Sequence, residues 1–222
     1  MAGGRPPSVA VGFFVVSASP EQLGANLEAA LEWLGAYFVN ESPLQKAAEQ
    51  IARRMDELGI DYAIAGALAL AAHGFVRGTE DVDVLVSREG LERFKEAWLG
   101  KGYSNLRAGG KAVRDTLHGV KIDFLIQGDF PGDGAPKPVS FPDPRDSSTE
   151  AGRVRVLSLP RLIEMKLASG MTAAHRLQDL ADVLRLIDLR KLPREFSEQL
   201  DPYVRSKFDE LWTSAQHEAD DY

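Results

Sequence analysis

The chain has 222 residues, of which 44% are hydrophobic, 27% charged and 8% aromatic, with 20 Gly and 12 Pro in no regular period. Those values exclude a wholly disordered, fibrous or low-complexity chain and suit one domain with a helical appendage. A net charge of -7 argues against electrostatic coating of bulk DNA, while leaving room for a local basic groove that meets a small or structured RNA. Without Cys the chain has no disulfide, thiolate metal site or cysteine nucleophile, and a cytoplasmic location is expected.

The most apolar window, Val9–Val16, is much shorter than the roughly 20 residues of a spanning helix. It reads as a short buried or edge strand, and no membrane association is expected. Ser19-Pro20 opens a helix with Leu23, Leu27, Leu31, Leu34 and Phe38 on one face. Residues 1–43 read as an N-terminal extension. Ser42-Pro43-Leu44-Gln45 repeats the start signal for a helix through Leu58, which Gly59 ends.

The middle of the chain alternates strands and helices. Tyr62–Ala65 reads as a buried strand broken by Gly66, with a helix of small residues to His73. His73 reads as a structural helix-end residue. Val82–Val86 is a strand, and Ser87 caps a helix carrying Leu91, Phe94 and Trp98. Strands at Ala112–Leu117 and Val120–Ile126 flank a His118-Gly119 turn, and Gly128–Gly152 reads as one long loop. Val154–Leu157 closes a core of residues 44–157, and residues 158–222 form a C-terminal helical region. There, Ser158 and Pro160 start a helix that Gly170 ends, Thr172 caps another, and a last helix follows Asp201-Pro202. The expected fold class is α+β: a small mixed sheet with helices on one face, plus N-terminal and C-terminal helices.

The chemistry concentrates in Asp81-Val82-Asp83. Residues two apart on a strand point the same way, so both carboxylates share a face while Val82, Val84 and Val86 take the other. Two such groups ~7 Å apart at their Cα atoms repel unless a cation or proton intervenes. A hard divalent ion such as Mg²⁺ or Mn²⁺ suits them. In Lys121–Ile126, the core face takes Ile122, Phe124 and Ile126, so Asp123 projects from the other face. If the two strands are neighbours, three carboxylates converge. An isolated Asp-x-Asp is most often a pair of solvated turn residues; the Gly66 turn and Asp123 lift this one above that background. In haloacid-dehalogenase phosphatases and many nucleotide-sugar glycosyltransferases the apolar run precedes the pair, whereas here it follows. Gly66, at a strand-to-helix turn, lets free backbone N–H groups approach a phosphate.

Gly66-Ala67, the small-residue helix, Arg77, Thr79 and Asp81-Val82-Asp83 together resemble the signature of the DNA polymerase β nucleotidyltransferase superfamily. The nearer resemblance is to its minimal, abortive-infection-toxin-like bacterial branch. Asp123 falls where that family places its third carboxylate. Lys166-Leu167-Ala168-Ser169-Gly170, followed by Asp179 and Asp182 within His175–Val183, resembles the helical motif that lies beside the nucleotide in this branch. The resemblance spans about Leu58–Leu186. Ala67 and Gln178 depart from it, removing a hydroxyl and a positive charge near the triphosphate.

The resemblance implies transfer of NMP from an NTP to an acceptor, with release of pyrophosphate. Asp81, Asp83 and Asp123 would be the metal ligands and catalytic residues, and Gly66, Ala67, Arg77, Thr79, Lys166, Asp179 and Asp182 the nucleotide-binding residues. Lys166 also reads as an ordinary helix-surface lysine. Asp179 and Asp182, three apart on one helix face, could hold Lys166, Arg77 or the base, or be a solvated face or an Arg176–Asp179 pair. The acceptor could be a protein, a tRNA end or a small molecule. The alternative is a non-catalytic nucleotide-binding or regulatory protein with a cognate partner in a toxin–antitoxin-like system.

Overall fold

The computed structural model of the chain describes residues 42–220, so the expected Val9–Val16 strand and the helix opening at Ser19 lie outside the described residues. Helix α1 (Pro43–Glu57) starts as its sequence dictates: the Gln45 N–H donates to the Ser42 hydroxyl at 3.2 Å, with Pro43 in the first turn. Ala47, Ile51 and Met55 lie on its buried stripe. Then follow β1 (Tyr62–Ile64), α2 (Gly66–Ala72), β2 (Asp81–Val86) and α3 (Arg88–Trp98), whose cap is the Ser87 hydroxyl accepting from Gly90 N–H. β3 (Tyr103–Asn105), β4 (Ala112–Asp115) and β5 (Lys121–Ile126) complete one half of the sheet. The other half is β7 (Val154–Leu157) with β6 (Ser148–Ala151), preceded by the short helix α4 (Pro144–Ser147). α5 (Leu159–Thr172), α6 (Leu177–Arg190) and α7 (Pro202–Asp220) follow.

The fold is a mixed α+β arrangement around a 7-stranded sheet in the order β3-β4-β5-β2-β1-β7-β6. β2 runs parallel to β5 and β1 parallel to β7, while the remaining pairs are antiparallel. Val82, Val84 and Val86 of β2, with Ile122, Phe124 and Ile126 of β5, are buried on one face of this central pair. Each such side chain contributes about 1.5–3 kcal/mol of burial. No helix of the described residues is long and apolar enough to cross a membrane.

The structure corrects several expected boundaries. Gly128–Gly152 is not one loop. Asp143-Pro144 opens α4, with the Arg145 N–H donating to the Asp143 carboxylate at 2.9 Å, and β6 pairs with β7 beyond it. α5 runs past Gly170 to Thr172, because Gly170 serves close packing there: a Cβ would lie 2.5 Å from Leu180 Cγ on α6. Thr172 caps nothing downstream, since its hydroxyl donates back to the Ala168 carbonyl at 2.8 Å, and a 3-10 turn at Ala174–Arg176 precedes α6. The Ser158 side chain makes no capping bond to α5. His73 is structural: its Nε2–H donates to the Leu157 carbonyl at 2.7 Å, and burial lowers its pKa.

Candidate active site

The parallel pairing of β2 with β5 sets Asp83 opposite Asp123 and Asp81 opposite Lys121. Facing residues on neighbouring strands point to the same side. Asp81, Asp83 and Asp123 therefore share the face opposite the buried valines and isoleucines. The Thr79 hydroxyl donates to Asp81 Oδ1 at 2.9 Å and orients that carboxylate. Lys121 Nζ forms an ion pair with Asp123 and stands 3.7 Å from Asp81 Oδ2.

Burial, and then crowding, work against the charge on Asp83. Surrounding protein pushes the Asp83 carboxyl up to about 6, with further upward pressure from Asp81 and then Asp123, partly offset by Lys166 and Arg176. Lys121 is raised in turn, chiefly by its bond to Asp123. Among the described residues no three His, Asp or Glu are already gathered as an ion cage. The donor set nevertheless suits a hard divalent cation: three carboxylates on one face, one of them raised chiefly by burial and then by its two acidic neighbours, with the Lys121 ammonium offsetting Asp81 and Asp123.

Gly66 brings backbone against this cluster. Its φ is 58°, in the left-handed region, and a Cβ there would lie 2.9 Å from Asp83 Cγ and nearer still to Oδ2. The preceding Ala65 N–H donates to the Asp83 carbonyl at 2.9 Å. Ala67, within α2, is buried and presents no polar group.

Lys166 is neither on the helix surface nor free. It is 6% exposed, with Nζ 2.9 Å from Asp179 Oδ1 and 2.6 Å from Asp182 Oδ2. Asp182 is fully buried and also meets Arg77 Nε at 3.2 Å, while Gln178 Nε2 donates to its Oδ1 at 3.0 Å. The Ser169 hydroxyl donates to Asp179 at 2.7 Å. Asp179 and Asp182 are thus not a solvated helix face. The network ties α5 and α6 to Arg77, in the segment that leads into Asp81.

On the other side of the carboxylates lies an open cavity of about 540 Å³. Leu106, Arg107, Lys111 and Ala112 line it, and Lys121 and Asp123 form the border it shares with the carboxylate cluster.

No protein-family model and no curated protein matches the sequence. Solved structures with a similar course of chain include the candidate nucleotidyltransferase TM1012 of Thermotoga maritima, 17% identical at a TM-score of 0.42, over 64% of this chain and 92% of that one. The antibiotic-resistance factor ANT(2'')-Ia is 18% identical at 0.43, over 80% of this chain and 99% of its own. An antigenic nucleotidyltransferase-like protein of Paracoccidioides brasiliensis is 18% identical at 0.42, over 79% and 92%.

Apart from Ala67, which is buried in α2, the expected site residues fall into two groups. Gly66, Thr79, Asp81, Asp83 and Asp123 are brought together on the sheet. Arg77, Lys166, Asp179 and Asp182 are brought together beside it, bonded to one another. One cation escaped the sequence reading: Lys121, although it has the same strand parity as Asp123, which was a legible signal. Arg176, considered in the sequence only as a partner of Asp179, instead lowers the Asp83 pKa by its charge.

Proposed function

We propose that the chain is a metal-dependent nucleotidyltransferase that moves NMP from an NTP to an acceptor hydroxyl or phosphate. The observation that carries this reading is the lateral register of Asp83 with Asp123, one strand from a glycine that leaves room for nothing but backbone. Asp81, Asp83 and Asp123 would hold Mg²⁺ or Mn²⁺, which supplies charge neutralisation at the phosphates and the attacking oxygen. The Gly66 turn places backbone N–H groups near the triphosphate. Asp123, at the mouth of the cavity, accepts the proton of the acceptor hydroxyl. The acceptor oxygen bonds to the α-phosphorus, the bridging bond to the β-phosphate breaks, and pyrophosphate leaves. The Lys166–Asp182–Arg77 network acts as a positioning device, holding the approach to Asp81 against α5 and α6.

Nucleotide binding without transfer, in a regulatory or partner protein of the same fold, is the alternative. The buried, apolar Ala67 is what favours it, because a hydroxyl is missing from the turn.

Incubation with each labelled NTP and Mg²⁺, alone and with total tRNA, tests the reading. Labelling of the protein or the tRNA that disappears in Asp81→Ala/Asp83→Ala supports transfer. Mg²⁺-dependent NTP binding with no label moved supports the alternative. Absence of both binding and transfer rejects the two together.

A further inference from the structure

We propose that the cavity beside Asp123 is the acceptor subsite and that it takes a phosphate-bearing acceptor, an assignment that rests on the transferase reading above. Its position follows from the sheet. β1 and the Gly66 turn flank β2 on one side, while β5 and β4, which carry the cavity, lie on the other. Ala112 stands opposite Asp123, and Asp123 opposite Asp83, so the cavity floor continues the carboxylate row across the same face. In-line displacement requires attacking and leaving oxygens on opposite sides of the phosphorus. A nucleotide seated at the glycine turn leaves this side for the attacking group.

The lining chooses the chemistry. At about 540 Å³ the cavity is of ligand size. Three of its walls are cationic, Arg107, Lys111 and Lys121, and its one acid is Asp123. The Arg107 guanidinium is exposed and has no hydrogen-bond or ion-pair partner among the described residues. Lys111 is paired with Asp129, but both ends are open to solvent, so the pair is weak and exchangeable. Arg88, 3.5 Å from the same carboxylate, can retain it when Lys111 turns to a ligand. The segment carrying Arg107 is fixed: Gly110 N–H donates to the Arg107 carbonyl at 3.1 Å, and Lys95 Nζ donates to the Gly110 carbonyl. Leu106, 39% exposed, adds an apolar surface suited to a base or sugar. A polycation or a neutral acceptor such as an unphosphorylated sugar or a Ser or Tyr hydroxyl would gain nothing from these charges; a phosphate gains most from Arg107 and Lys111, since Lys121 is already paired with Asp123.

Binding without turnover is the test. A fluorescein-labelled short single-stranded RNA is titrated into the full chain, with a nucleoside monophosphate as competitor and spermine as the cationic control. The RNA is expected to bind, and Arg107→Glu/Lys111→Glu to weaken it while leaving the circular-dichroism melt and Mg²⁺-dependent NTP binding unchanged. The log–log salt slope is expected to fall by about 1.4, roughly 0.7 for each lost single-strand phosphate contact. Displacement by the monophosphate identifies a small phosphorylated acceptor, and resistance to it identifies an RNA strand; either supports the assignment. No RNA or monophosphate binding by the wild-type chain, or binding indifferent to the charge reversal, overturns it. The two readings fail separately. Transfer that persists in Arg107→Glu/Lys111→Glu with an unchanged acceptor KM removes the cavity alone. Charge-dependent RNA binding in a protein that transfers from no NTP removes the transferase reading and the acceptor role together.

Discussion

A side chain at residue 66 and the Asp83 carboxylate exclude one another: the Gly66 Cβ position lies 2.9 Å from Asp83 Cγ, with φ at 58°. Gly59 has nearly the same backbone, φ 59°, but open space where its Cβ would be. The two glycines separate strain from collision. Gly59→Ala is expected to cost about 1 kcal/mol. Gly66→Ala should cost roughly 2–4 kcal/mol and also abolish the thermal shift given by Mg²⁺ and NTP. Urea denaturation of both variants checks the difference; equal losses would mean that Asp83 moves aside freely.

Asp83 gives a pH signature. Its carboxyl titrates at about 6 in the folded protein against a reference of 3.8. Its stabilising contribution is therefore fully present below 3.8 and is lost as pH rises through about 6, by at most about 3 kcal/mol. His73 runs the other way: burial lowers its pKa from 6.5, so its contribution is present above 6.5 and lost as pH falls. The informative quantity is thus Asp83→Asn minus wild type, measured in EDTA between about pH 4 and 8. The variant should gain relative stability as pH rises, and Mg²⁺ should shrink the gain. Parallel curves would contradict the shift.

Lys166 separates a positioning role from direct contact with nucleotide. Lys166→Met leaves the buried Asp182 and the nearby Asp179 without their shared ammonium. A loss of about 3–5 kcal/mol is expected, partly recovered in Lys166→Met/Asp182→Asn. A lysine used chiefly on phosphate would instead raise the KM for NTP with little change in stability. Chemical denaturation beside steady-state kinetics distinguishes these outcomes.

Lys121 holds positive charge against Asp81 and Asp123. Lys121→Met removes a cation that competes for those oxygens. Mn²⁺ affinity, read by electron paramagnetic resonance or calorimetry, is expected to tighten several-fold. Weaker Mn²⁺ binding would show that the ammonium organises the acids rather than competing for them.

Much of this centre is legible in the residues. Strand alternation alone puts Asp81 and Asp83 on one face and Asp123 on the polar face of its own strand. What alternation cannot supply is register. That β5 lies beside β2, and that Lys121 then stands opposite Asp81, depends on tertiary pairing across α3 and the β3–β4 hairpin. The hold of Asp179 and Asp182 on Lys166 was legible as one option, since the two acids share a helix face. Only the packing of α6 on α5, which delivers both acids to its ammonium, selects it over a surface lysine. The strand Ser148–Ala151 was hidden too, because a short polar edge segment becomes a strand only by pairing with β7.

The side-by-side run of β2 and β5 also ties assembly of the centre to completion of the sheet. Parallel neighbours cannot meet through a tight hairpin, and here a helix and two further strands intervene. A chain truncated after Trp98 would carry two acids on an unpartnered edge and nothing to answer them. Such distant pairing is slow to form. Full divalent-ion affinity should therefore emerge in refolding only when this last long-range junction closes, which makes the ion itself a reporter of the finished sheet.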